Sequence, residues 1–179
     1  MRSRRLPAAL VLLLSACGGG DPPTLPDPGT CAMSEEAVPN EGWAHVAEGS
    51  AVTYAANPPA SGPHYPVWLR YELFTSPLAR GYWVHNLEHG AIVLLHRPDA
   101  PGEVVEALRS VYRALPDDPA CGHSRAVLTP DPLLDTPVAV VAADFVLSGS
   151  CVSPNSITQF VTTHRARAPE NVCGGGSRP

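Results

Sequence analysis

Apolar positions fall into a few runs along this chain, and their spacing differs from run to run. Ala91–His96 (AIVLLH) is apolar almost without interruption, the pattern of a strand buried on both faces. Val138–Leu147 is a second such run, interrupted at Asp144, and Arg125–Thr129 is a third; both read as strands. Ala51–Ala55 and Val67–Phe74 are shorter strand candidates. Val104, Leu108, Val111 and Leu115 recur at helical spacing, with Val105 and Tyr112 beside them. Asp99 is placed to cap that helix, Pro101 falls in its first turn and Pro116 stops it. Glu103 and Glu106 near its start and Arg109 and Arg113 toward its end suit the helix dipole. A second helix starts at Ser153-Pro154, a cap followed by proline at the first helical position. Its apolar face is Ile157, Phe160, Val161 and His164, and Pro169 ends it.

The order β…β-α-β-β-α predicts an α+β fold, a small mixed sheet with two helices on one face. The arrangement is close to a ferredoxin-like split β-α-β-β-α unit preceded by a loop-rich N-terminal part. If Arg125–Thr129 and Val138–Leu147 form an antiparallel hairpin, Cys121 and Cys151 lie at its open end. That favours a Cys121–Cys151 disulfide and leaves Cys31–Cys173 to tie the termini.

The N-terminus reads as an address. Met1-Arg-Ser-Arg-Arg is positive, and Leu6–Leu14 is apolar but too short to span a bilayer. Small residues then precede Cys17, as in a bacterial lipoprotein signal, so residues 1–16 are expected to be removed and Cys17 to carry lipid. The next 13 residues, 18–30, hold eight Gly or Pro and read as a tether. A single domain over 31–173 and a frayed tail over 174–179 complete the expected layout. These features place the protein in the bacterial cell envelope, held to the membrane by its lipid.

Composition narrows the chemistry. The 179 residues include 21 Pro and 15 Gly, which demands many loops. Every basic residue is Arg, so a Schiff-base or P-loop lysine is excluded, and no dinucleotide fingerprint supports a nucleotide cofactor. Twelve Arg against 17 acids give a net charge of −5, which argues against nucleic-acid binding, and the −8 left from Cys17 onward argues against anionic headgroups holding the body flat on the membrane. Four cysteines beyond Cys17 in an exported chain predict two disulfides rather than a thiolate metal site, since no C-x-x-C occurs.

Histidine placement is uneven. Tyr82-Trp-Val-His85-Asn-Leu-Glu88-His89-Gly90 packs two His and one Glu into five positions. His85 and His89, four apart, share one face of a helical turn or of a strand and can ligate one metal. His64 sits in the proline-restricted segment Asn57-Pro-Pro-Ala-Ser-Gly-Pro-His64-Tyr-Pro66 and is the natural third ligand. His164 is a possible ligand, although its place on an apolar stripe suits a core histidine. His45, His96 and His123 read as solvent-edge residues, and Asp144, if buried, needs an Arg or His partner. His85-x-x-Glu88-His89 also matches the inverted zinc-protease pattern, with Glu170 as a downstream ligand. That motif belongs on a long helix, however, whereas Gly90 here leads into a strand.

The P-P-A-S-G-P-H and H-N-L-E-H-G blocks, with Ala168-Pro169-Glu170, resemble an uncharacterised bacterial family known as domain of unknown function 3105. The resemblance covers about residues 43–170. It implies exported or membrane-anchored relatives, a shared fold and a shared site at His64, His85, Glu88 and His89, without an activity. Family members often carry an aromatic-glycine pair where this chain has Asp144-Phe145. The leading functional expectation is a lipoprotein binding one copper or zinc ion. The alternatives are an envelope interaction module without metal, for which the sequence names no protein partner, and a metal-dependent hydrolase using Glu88.

Overall fold

The computed structural model describes residues 31–178. The expected leader 1–16, Cys17 and the tether 17–30 lie outside the described residues. The elements run β1 (Ser34–Ala37), α1 (Arg80–Glu88), β2 (Ile92–His96), α2 (Gly102–Ala114), β3 (Ala126–Pro130), β4 (Val138–Ala142), β5 (Phe145–Gly149) and α3 (Pro154–His164). The five strands form one mixed sheet in the order β1-β5-β4-β2-β3. The fold is α+β.

β2 is buried at all five positions, and its side chains serve two cores in alternation. Ile92 and Leu94 join Leu108 of α2 and Ile157, Phe160 and Val161 of α3 on one face. Val93 and Leu95 join Trp83, Val84 and Leu87 of α1, with Leu69, on the other. α2 and α3 thus share a face, as the sequence predicts, while α1 covers the opposite one.

The split unit does not form. β2 and β3 are adjacent and parallel, joined by α2, so no strand is inserted between them. Asp144 marks a turn: φ of +65° lets Ala143-Asp144 close a hairpin in which Ala142 pairs with Phe145, making β4 and β5 out of one apolar run. β4 also pairs with β2, and β3 is the far edge strand, so the expected hairpin of Arg125–Thr129 with Val138–Leu147 is absent. Asp144 is half-buried and accepts from the Asn40 amide rather than from Arg or His. Neither Ala51–Ala55 nor Val67–Phe74 is a strand; the latter makes only isolated bridges, Leu69 with Arg178 and Leu73 with Leu128.

The disulfide pairing changes for the same topological reason. β1 pairs antiparallel with β5, Ser34 opposite Ser148, which brings Cys31 to Cys151. Cys121 joins Cys173 across 52 residues. Two disulfides form, but not the favoured pairs, because β1 is a short exposed edge strand with no apolar pattern.

The helix ends also shift. α2 begins after Pro101, and Asp99 pairs with the Arg97 side chain instead of capping. α3 is capped by the Ser153 hydroxyl, which accepts from Ser156 N–H, and stops at His164, short of Pro169. Within the expected tail 174–179, Gly176 and Arg178 N–H donate to Leu69 and Trp68 carbonyls, and Arg178 pairs with Glu48.

Candidate metal centre

The nine-residue α1 is buried nearly all round, from Trp83 through Glu88. Its fixed position comes from polar ties as well as packing. The Asn86 side chain, wholly buried, donates to Leu69 O (2.9 Å) and accepts from Leu69 N–H (3.0 Å), pinning the Trp68 segment to the helix. At the helix C-terminus, Glu170 N–H donates to Glu88 O (3.0 Å) and Arg125 Nη2 to His89 O (2.8 Å). These donors satisfy carbonyls that a helix C-terminus otherwise leaves free. Gly90 follows at φ +78°; a side chain there would meet Arg125 Nη2 at 2.4 Å and Ala166 Cα at 2.9 Å.

His64, His85, Glu88 and His89 converge. The His64 and His85 ring centroids are 4.8 Å apart, and those of His85 and His89 are 4.5 Å apart. Glu88 Oε2 lies 3.0 Å from His64 Nε2 and 3.8 Å from His85 Nε2, and the two ring nitrogens of His85 and His89 approach to 3.2 Å at Nε2. All four residues are buried. His45, read from sequence as a solvent-edge residue, belongs here too. It makes a parallel bridge with His64, and its Nε2 is 3.7 Å from Glu88 Oε2, with half of its side chain exposed (53%). Glu170 reaches His89 Nε2 at 3.2 Å from an equally open position (56% exposed). Trp68 lies tilted against His85 and edge-on to His89, with centroids at 4.8 and 4.5 Å.

Tautomers are set by the backbone. His64 Nδ1–H donates to Gly62 O (2.8 Å) and His85 Nδ1–H to Tyr65 O (2.6 Å), since a carbonyl can only accept. Both rings therefore turn Nε2 toward the cluster. Such carbonyl contacts fix ring orientation in metal-ligating histidines. Burial drives the His85 pKa down from 6.5 to about 4, opposed by its bond to Tyr65 O, so at neutral pH its ring is uncharged. Burial lowers His89 as well, against the pull of Glu170.

The remaining histidines stand apart from the cluster. His164 bonds Glu35 (2.9 Å) and stacks on Phe145 on the α2/α3 side of the sheet, which removes it as a ligand of this site. His96 is buried, not at a solvent edge, and donates from Nδ1 to Arg97 O. His123 is half-buried, donates to Cys173 O and accepts from Arg125 N–H.

Fold and site together define a small α+β domain whose buried His/Glu groups can hold a metal ion, through His45, His64, His85 and Glu88 or through Glu88, His89 and Glu170. The chain belongs to the family described as protein of unknown function (DUF3105), which matches residues 45–175. No curated protein and no solved structure matches it.

Proposed function

We propose that this protein is a lipid-anchored cell-envelope protein whose folded domain binds a metal ion, copper or zinc, with His64, His85, His89 and Glu88 at the core of the site and His45 at its rim. The observation that carries this reading is the convergence of buried imidazole Nε2 atoms on one buried carboxylate. His64 and His85 have committed their Nδ1–H groups to carbonyls, yet their Nε2 atoms face Glu88 Oε2 at 3.0 and 3.8 Å. A buried carboxylate facing several imidazole nitrogens needs positive charge among them, from a proton or from a metal ion. His85 is held neutral at pH 7 by burial, so it does not supply that charge as imidazolium. A divalent ion satisfies every donor at once.

Donor chemistry supports the choice of metal. Imidazole with one carboxylate suits Zn²⁺ and Cu²⁺, and all four cysteines among the described residues are spent in disulfides. Those disulfides suit an oxidising compartment, in keeping with export. Glu88 Oε2 stands 3.0–3.8 Å from the Nε2 atoms of three histidines, a spacing of donors around one ion, so it reads as a ligand and not as the base of a hydrolase. A cleft of about 520 Å³ beside α2, lined by Thr75, His96, Val105 and Arg109, shares no residue with the cluster.

Metal analysis of the untagged full chain tests this. Stoichiometric zinc or copper is expected, lost in a His64→Ala/His85→Ala double variant that keeps its circular dichroism. Wild type without bound metal after zinc and copper loading would sink the reading. For the anchor, Cys17→Ser should move the protein from membranes to the soluble fraction; unchanged membrane association would contradict it.

A further inference from the structure

We propose that the site is dinuclear, with Glu88 bridging two divalent ions: one held by His45, His64 and His85, the other by His89 and Glu170. This rests on the metal-binding reading and goes beyond the single ion it requires. Six donors gather here, more than one tetrahedral ion takes. They do not close into one group. His45, His64, His85 and Glu88 have ligand atoms all within 4.8 Å of one another, and so do Glu88, His89 and Glu170; Glu88 alone belongs to both. A carboxylate has two oxygens and is the protein ligand best made to join two ions.

The first group is complete without His89, offering three imidazoles and one carboxylate. The second has its own reason to exist. Glu170 is brought to His89 by a backbone bond to Glu88 O, at the far end of the chain from α1. His89 differs from its neighbours in one respect: its Nδ1 is buried with no hydrogen-bond partner, so no carbonyl fixes its tautomer. The Glu170 side chain is more than half exposed and must be ordered on binding. Both features weaken the second position against the first, by about 10–100-fold on the scale of lost outer contacts. Two divalent ions carry four charges against two carboxylates. The open rim at His45 and Glu170 is where water-derived hydroxide or another small anion would balance the excess.

Equilibrium dialysis of the untagged, chelator-stripped full chain against Co²⁺ tests this, with bound cobalt measured by mass spectrometry and the d–d absorption read alongside. Two cobalt ions per chain are expected, in two steps separated by about 10–100-fold. Glu170→Ala, which keeps the backbone N–H bond to Glu88, should bind one ion with the first step unchanged. Wild type saturating at one ion would overturn the dinuclear proposal and leave the mononuclear reading standing. Two ions in Glu170→Ala would overturn the assignment of the second position. Wild type binding none would overturn both readings together.

Discussion

At the scale of single residues, the site is a problem of protonation. His85 keeps its proton on Nδ1 and its charge suppressed, because burial penalises imidazolium more than the bond to Tyr65 O favours it. A basic group whose pKa is lower folded than unfolded binds fewer protons in the native state. Stability then rises with pH across the interval between the two values. For His85 that interval runs from about 4 to 6.5, and His89 acts in the same direction. The metal-free protein should therefore hold its full stability above about pH 6.5 and lose it progressively as the pH falls toward 4. Urea midpoints at pH 7.5 and 5 check this, and His85→Asn should flatten the difference; a midpoint independent of pH would contradict it. Residue identity was also the most legible level of the sequence. The spacing of His85, Glu88 and His89 and the proline-held His64 were readable because local chain stiffness and periodicity place them. His45 was not, since it lies in irregular chain and reaches Glu88 only through its pairing with His64.

Among the elements, α1 decides whether the cluster exists. Its sequence fits a helical turn or a strand equally, because a helix buried almost all round has no polar face to give a 3.6-residue rhythm. α2 and α3 were legible because each has a solvent side. β1 went unread for the opposite reason, being exposed at every position. What holds α1 is concentrated at two residues. Asn86→Ala would strand the Leu69 N–H in the core, at about 1–3 kcal/mol for an unsatisfied group, and leave Leu69 C=O with the Gly176 N–H alone. Through the loosened Trp68 segment it should also lower metal affinity. Gly90→Ala adds a β-carbon at φ +78° into space held by Arg125 and Ala166. The left-handed backbone alone costs about 1–2 kcal/mol for an alanine, and displacing the Arg125–His89 contact raises that. Denaturant titration should show both variants destabilised, with an alanine scan of the exposed α2 positions near neutral by comparison. Gly90→Ala as stable as wild type would mean the turn can be made another way.

For the molecule as a whole, the disulfides divide the fold into a part that carries the site and a part that does not. Cys31–Cys151 ties the edge strand β1 to the end of β5, on the side of the sheet order farthest from β3. Cys121–Cys173 ties the C-terminal segment to the chain before β3. That segment supplies Glu170, caps the carbonyl of Glu88 and lies against Trp68 and Leu69 through Gly176 and Arg178. Arg125, wholly buried, links the two: its Nη1 contacts Asp118, Asn171 and Cys121, and its Nη2 holds His89 O. Chain-entropy arguments make the two bridges similar in stability, about 4–5 kcal/mol each for loops of this size. Their effect on metal binding should differ sharply. Cys121→Ser/Cys173→Ser frees the segment that positions Glu170 and loosens Trp68 over the rings, so metal affinity should fall along with stability. Cys31→Ser/Cys151→Ser should lose comparable stability and bind metal as wild type does, because β1 touches none of the six donors. Quenching of Trp68 fluorescence by Cu²⁺, with Trp68→Phe to isolate its signal from the other two tryptophans, reads affinity in each variant at a denaturant-free temperature where both remain folded. Equal loss of affinity in the two variants would show that metal binding follows overall stability, not the placement of the C-terminal segment, and would remove the structural reason for assigning Glu170 to the site.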